Sequence, residues 1–334
     1  MFFSIIVPVF NRPDEVQELL ESLCQQDFAA RFEIVIVEDG STNLCKTQVD
    51  LFKDKLEIAY YFKQNSGPGD SRNFGMKAAK GDYFIIFDSD CIIPSNYLSA
   101  VLAELNADFV DCFGGADRAL ESFSSIQKAI NFAMTSFLTT GGIRGGSEKI
   151  IKFQPRSFNM GISKIAFEKS SGFGNIHPGE DPDLSIRLWD LGFETRLFPE
   201  AFVYHKRRID WEKFFVQVNK FGKVRPILNK WHPKYAKITF FAPTFFIIGL
   251  VLALILASIK YTFLLWMYGL YFVTILVVSS YQNKNIKIGL FSVLASFIQF
   301  YGYGIGFLKS FLQIQLLNKN PKEIFPELFF KSTK

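Results

Sequence analysis

The chain has 334 residues, enough for one to three domains. Hydrophobic residues make up 49% of it, charged residues 21%, and 39 positions are Phe, which is too apolar for a disordered chain and unusually apolar for a wholly soluble one. The net charge of +5 conceals a division: residues 1–204 carry 19 Lys and Arg against 28 Asp and Glu, residues 205–237 carry 10 against 2, and residues 238–334 carry 8 against 2. An acidic front and a basic rear argue against nucleic-acid binding spread along the chain and favour a local anionic partner beside residues 205–237.

In chain order, Phe3–Val9 is an apolar, β-branched run that predicts a strand, and residues 12–25 have helical spacing through Val16, Leu19, Leu20 and Leu23. Residues 33–37 predict a second strand ending at Glu38-Asp39-Gly40-Ser41. Residues 57–62 predict a third, followed by a Gly/Pro loop, a helix over 70–79, and a strand Tyr83–Phe87 that ends in Asp88-Ser89-Asp90. Strand and helix alternating through short connections predict an α/β domain with a mostly parallel, Rossmann-like sheet, its chemistry at the strand ends.

The rear third has a different character. Residues 238–259, 261–283 and 288–308 are each free of charge and close to the roughly 20 residues that cross about 30 Å of hydrocarbon, so three membrane segments are expected. The ten basic residues before the first place that side in the cytoplasm, and Lys284 and Lys287 agree with a hairpin that returns there. The third segment could cross, or bend back at Tyr301-Gly302-Tyr303-Gly304-Ile305-Gly306 as a re-entrant or interfacial element. Residues 1–7 contain no basic side chain and stop at Pro8, unlike an export signal, so the front domain is expected to stay cytoplasmic. Cys24, Cys45, Cys91 and Cys112 lack C-x-x-C spacing and a nearby His cluster, and indicate neither zinc nor a disulfide framework.

Asp88-Ser89-Asp90 ends an apolar strand, and two carboxylates there suit Mn²⁺ or Mg²⁺, which takes one or two protein carboxylates and completes its shell with water and phosphate oxygens. Taken alone, such a pair is more often a chance or surface acidic pair. Ser66-Gly67-Pro68-Gly69-Asp70-Ser71-Arg72-Asn73 opens a helix with backbone N–H groups and Arg72 available to a phosphate, although an ordinary turn would look the same. Pro8-Val9-Phe10-Asn11-Arg12 follows the first strand where a dinucleotide fingerprint would need G-x-G-x-x-G, which disfavours a nicotinamide dehydrogenase.

As an ordered set, Val7-Pro8-Val9-Phe10-Asn11, Val37-Glu38-Asp39-Gly40-Ser41, Arg72-Asn73-Phe74-Gly75, Gly81-Asp82-Tyr83, Asp88-Ser89-Asp90 and Glu180-Asp181-Pro182-Asp183-Leu184 resemble the family 2 glycosyltransferases of GT-A fold. The resemblance implies that Pro8, Val9, Asn11, Glu38, Asp39 and Ser41 surround the base and ribose of a nucleotide-diphosphate sugar, expected to be UDP-linked, with Asp39 the leading base contact. It places Arg72 near the diphosphate, counts Asp88 and Ser89 among the nucleotide-sugar contacts and puts Asp90 on the metal, with His205, which follows a late apolar strand, as a second ligand candidate. Asp181 matches the family's catalytic base. Glu180 and Trp189 accompany it on the sugar and acceptor side, as does Asn159 of Phe158-Asn159-Met160-Gly161. Gln217 and Lys220 belong to Gln217-Val218-Asn219-Lys220-Phe221, which looks like a degenerate form of the Q-x-x-R-W segment of processive members. With Lys and Phe at its last two positions, processive polymerisation is not expected.

These readings divide the chain into a GT-A domain over 1–225, a basic connection over 226–237, a membrane domain over 238–317 and a basic tail over 318–334. The expected function is a multi-pass inner-membrane, inverting, metal-dependent glycosyltransferase that uses a nucleotide-diphosphate sugar and a lipid-linked saccharide or lipid acceptor in envelope polysaccharide or glycolipid synthesis. Transfer to polyprenyl phosphate is the alternative, and a non-catalytic nucleotide-sugar-binding scaffold is the alternative from another class. A transporter is disfavoured because the membrane segments contain no charged residue for a substrate or proton path. No oligomeric state is legible.

Overall fold

The computed structural model describes residues 1–118, 120, 122–141, 152–206 and 210–330. In chain order the elements are β1 (Phe3–Val9), α1 (Pro13–Leu23), β2 (Phe32–Asp39), α2 (Lys46–Asp50), β3 (Glu57–Lys63), α3 (Pro68–Ala78), β4 (Tyr83–Phe87), β5 (Cys91–Ile92), α4 (Tyr97–Ala107) and β6 (Cys112–Arg118). They continue with α5 (Ser125–Thr135), α6 (Phe137–Thr140), β7 (Asn159–Ser163), α7 (Lys164–Ser170), α8 (Glu180–Asp190) and β8 (Thr195–His205). After β8 come α9 (Trp211–Trp231), α10 (Ala242–Ser258), α11 (Phe263–Asn283), α12 (Ile286–Ser310) and α13 (Pro321–Ile324).

The chain forms two compact units. The first takes in the described residues of Met1–Arg118 and Gly146–His205 together with Phe329 and Phe330. It is built on one sheet of order β3-β2-β1-β4-β7-β6-β8-β5. β1, β2, β3 and β4 pair in parallel and β6 pairs in parallel with β8, whereas β7 runs antiparallel to β4 and β6, and β5 antiparallel to β8. Two-residue alternation sorts the core. Phe3, Ile5, Val7, Ile34, Ile36, Tyr83, Ile85 and Phe87 face one way and are covered by Val16, Leu19, Leu20 and Leu23 of α1. Ile6, Val35, Val37, Phe84 and Ile86 face the other way, onto Met76 of α3 and Leu184 and Leu188 of α8. Both faces being buried is what makes these strands nearly continuous apolar runs.

The second unit takes in the described residues of Ala119–Gly145 and Lys206–Leu328. Its helices at Ile238–Ser258, Phe263–Asn283 and Ile286–Leu316 are each long and apolar enough to cross a membrane. Their outward faces are apolar, with Phe245, Leu254, Trp266 and Leu270 exposed. Here α12 lies against α9: a Cβ at Gly222 would overlap the Tyr303 carbonyl, and the Asn219 amide donates to the Gly302 carbonyl at 2.9 Å. Further along, Gln315 donates to the Pro226 carbonyl at 2.8 Å.

The sheet is mostly parallel, as the alternation of strand and helix leads one to expect, with β7 entering antiparallel between β4 and β6. The described residues of the sheet-bearing unit run to His205, and α9 lies in the helical unit, where it packs on α12 through small residues. The Tyr301–Gly306 stretch is continuous helix, its glycines admitting close neighbours: Val218 at Gly302, the Pro243 carbonyl at Gly304 and the Asn219 backbone at Gly306.

Candidate active site

Parallel pairing carries the ends of β1, β2 and β4 to one edge of the sheet, where their polar residues meet. Asn11 leaves β1 with φ 56°, a left-handed conformation that Asn tolerates better than most residues. Its carboxamide oxygen accepts from the backbone N–H of Thr42 and of Asn43, each at 2.9 Å, and its own N–H donates to the Ser41 hydroxyl at 2.7 Å. Glu38 is fully buried and serves that turn: its carboxylate accepts from Ser41, from the Cys45 N–H at 2.9 Å and from the Tyr60 hydroxyl at 3.1 Å. Asp39 accepts from Lys63 at 2.5 Å, from the Ser66 N–H at 3.0 Å and from the Gly67 N–H at 2.9 Å. The turn that joins Asn11, Glu38 and Ser41, and the Asp39 carboxylate beside it, are therefore braced by hydrogen bonds within the chain.

Arg72, on α3 and 3% exposed, joins two distant parts of the chain. It donates to Asp88 at 2.7 Å and to Glu180 at 3.1 Å, with its guanidinium 5.4 Å from the centre of the Phe173 ring. Glu180 also meets His177 at 2.8 Å. Burial would raise the Glu180 pKa, but the charges of His177 and Arg72 outweigh it and hold the carboxyl below its usual range. The neighbouring Asp181 goes the other way. Burial raises its pKa and the Glu180 charge raises it further, while Arg72, Arg156 and a hydrogen bond from Ser157 only partly oppose this. Adjacent acids driven apart in this manner are how one site obtains a fixed anion and a usable base.

The antiparallel pairing of Cys91 with His205 brings the two metal-ligand candidates together. His205 Nε2 lies 3.2 Å from Asp90 Oδ1, and a carboxylate oxygen of Asp90, the Cys91 sulfur and a His205 nitrogen all fall within 4.8 Å of one another. The His205 ring stacks on Phe158 at 4.4 Å, which fixes its plane. A carboxylate and an imidazole fit Mn²⁺, and Mg²⁺ through the carboxylate. The Cys91 thiol is a softer donor and is directed to the Phe158 carbonyl at 3.4 Å. Glu15 completes the acidic surroundings: burial and the Asp90 charge raise its pKa, and it accepts from Ser89 at 3.3 Å.

The other site residues fall into two groups. Asn159 is fully buried, with its side chain bonded to the Tyr97 hydroxyl at 2.5 Å and to the Ala201 carbonyl at 2.8 Å, so it holds the sheet together. Trp189 donates to Thr195 at 2.8 Å from the far end of α8. Gln217 and Lys220 lie on α9, in the helical unit. Arg207 and Arg208 of the basic stretch lie outside the described residues. Arg156, Ser157, Glu15 and Lys63 were missed by sequence reading. The first two precede the Phe158-Asn159-Met160-Gly161 motif in a loop without periodicity, and Glu15 looks like an ordinary acid in a helix first turn.

Residues 4–169 match the family described as Glycosyl transferase family 2. Over 114 residues, 33% of this chain and 20% of the relative, the sequence is 35% identical to the poly(ribitol-phosphate) beta-N-acetylglucosaminyltransferase TarS of Staphylococcus aureus. Over 150 residues, 40% of this chain and 48% of the relative, it is 31% identical to the GalNAc(5)-diNAcBac-PP-undecaprenol beta-1,3-glucosyltransferase of Campylobacter jejuni. These alignments thus span less than half of each relative. Among solved structures, a mannosyltransferase from Pyrobaculum calidifontis, in complex with GDP-Man and Mn²⁺, is similar at 14% identity and a TM-score of 0.58, covering 92% of this chain and 86% of that one. That likeness concerns the fold. With the motif order, the sheet and the family match in agreement, this chain belongs to the family 2 glycosyltransferases and its sheet-bearing unit has the GT-A fold.

Proposed function

We propose that the protein is a membrane-attached, metal-dependent inverting glycosyltransferase that moves a sugar from a nucleotide-diphosphate donor, UDP-linked in the first instance, to a lipid-linked saccharide or lipid acceptor. The observation that carries this reading is the Arg72 bridge, which joins Asp88 to Glu180 and so brings the Asp88-Ser89-Asp90 turn and the Glu180-Asp181 helix start to one place. The donor would lie over Pro8, Asn11 and Asp39 with its diphosphate toward Arg72 and Asp90. A divalent cation held by Asp90 and His205 would neutralise charge growing on the departing diphosphate. Asp181 would take the proton from the acceptor hydroxyl as that oxygen attacks the anomeric carbon, on the face opposite the leaving group. One displacement inverts the configuration. The Campylobacter relative acts, by its name, on an undecaprenol-linked saccharide, which supports a lipid-linked acceptor. The test is release of nucleoside diphosphate by detergent-extracted protein from a panel of nucleotide sugars with Mn²⁺; no release from any donor would overturn the reading.

The raised pKa of Asp181 gives a pH prediction. A base must be deprotonated to act, so kcat/KM should fall as pH drops through the pKa of free Asp181, and the acid limb should lie above the ordinary Asp value of about 4. Arg72 and Arg156 face the group as cations and Glu180 as an anion, with His177, its pKa raised against burial by Glu180, also near, so replacing Glu180 by Gln should move the limb to lower pH. A rate profile measured in both proteins checks the sign.

We further propose that α10 and α11 cross the membrane as a hairpin and that α12 does not cross. The chain leaves the sheet-bearing unit at His205 and re-enters it at Phe329, which requires an even number of crossings between them. In addition, α12 runs beside α9, whose Lys213, Lys220, Lys223, Arg225 and Lys230 would each cost about 2.5–3.5 kcal/mol at a bilayer centre. Cysteines placed at Lys284 and Lys319 should label from the catalytic side of sealed vesicles and one at Lys260 from the opposite side. Labelling of Lys284 and Lys319 from opposite sides would mean that α12 crosses.

A further inference from the structure

We propose that Phe330 is a positioning residue of the donor site, seating the loop that carries Gly67 against the segment that leads to Glu180. The inference rests on the donor-binding reading above and adds a residue outside every motif of the sequence. After the helical unit, Phe329 pairs with Ile176 in an antiparallel bridge, and the Phe330 N–H donates to the Asn175 carbonyl at 3.2 Å. The Phe330 ring then occupies the place where Gly67 would have a side chain: a Cβ there would overlap the ring, with Cε2 at 2.7 Å. Gly67 has φ +95°, in the region that favours glycine, so backbone conformation and ring contact both require its bare Cα. The same ring lies 6.0 Å from that of His177.

Phe330 therefore touches two limbs of the site at once. One is the Ser66-Gly67 backbone, whose two N–H groups hold the Asp39 carboxylate. The other runs from His177 through Glu180 and Arg72 to Asp88. At the base of α3 the side chain of Asn73 joins the same regions by bonding both the N–H and the carbonyl of Phe173, each at 2.8 Å. A donor cleft formed from two limbs binds well when their spacing is set beforehand, and poorly when binding must order them. Phe330 touches no proton-transfer group, so its removal should weaken donor binding and spare the chemical step.

The experiment uses full-length, detergent-extracted protein. Affinity for UDP, GDP and dTDP is measured by calorimetry, together with KM and kcat for whichever donor the wild type turns over. Phe330→Ala should raise the nucleotide Kd and the donor KM about tenfold with kcat held within about twofold. Phe330→Tyr, which keeps the ring, should restore wild-type values, and Phe330→Leu should fall between. A lower Tm with unchanged nucleotide affinity would show a merely structural contact and overturn the proposal, as would equal loss in kcat. Should the Ala variant fail to fold, Leu decides: affinity within twofold of wild type overturns the proposal. A wild type that binds none of the three nucleotides would overturn the donor reading and this inference together. A wild type that binds one of them, beside a Phe330→Ala variant that binds it equally well, would overturn this inference alone.

Discussion

Replacing Asp181 by Asn is expected to lower kcat by about 10² or more while leaving nucleotide affinity close to wild type, because the amide keeps the shape of the carboxylate and loses the capacity to accept a proton. Three acids open α8, and their partners distinguish them. Glu180 is held by Arg72 and His177, and Asp183 by Arg187 at 2.9 Å, so both side chains are committed to structural contacts. Asp181 has its pKa raised, by burial and then by the Glu180 charge, whereas that of Glu180 is lowered, which suits Asp181 to accept a proton. Nucleotide affinity by calorimetry and turnover should separate in the Asn variant. A parallel loss of both would assign Asp181 to donor positioning.

Replacing Asp90 by Ala is expected to lower turnover by about 10² to 10³ and to abolish its response to Mn²⁺, since the carboxylate is the hard donor in the Asp90–His205 pair. The fold should survive. Asp90 lies in the turn between β4 and β5, and the apolar anchors on either side, Phe87 and Cys91, are untouched. Mn²⁺ affinity followed by electron paramagnetic resonance gives a readout besides activity, and should fall in Asp90→Ala and to a smaller extent in His205→Ala. Retention of the wild-type Mn²⁺ affinity in Asp90→Ala would remove the residue from metal binding.

The order of strands and helices in the front of the chain was legible in sequence, because strands buried on both faces must be apolar along their length while α1 alternates at helical spacing. The acids at the ends of β2 and β4 were legible for the same reason: a polar residue closing an apolar run marks the sheet edge. The apolar character of the last three long helices was equally plain, since length and composition can be read from each segment by itself.

Only the tertiary structure decided which distant groups meet. Arg72 looks in sequence like a free phosphate ligand, yet it bridges Asp88 and Glu180, and nothing local encodes a pairing across 108 residues. The contrast between Glu180 and Asp181 depends on burial and on charges from His177, Arg72 and Arg156, none of which follows from adjacency in the chain. His205 acquires its place beside Asp90 from the register of β5 on β8. Phe330, in a tail that composition describes only as basic and aromatic, reaches Gly67 because the chain returns to the sheet-bearing unit after its last long helix. Periodicity and composition determine what each segment can be. Pairings and electrostatics depend on positions in space, which only the packing of the whole chain sets.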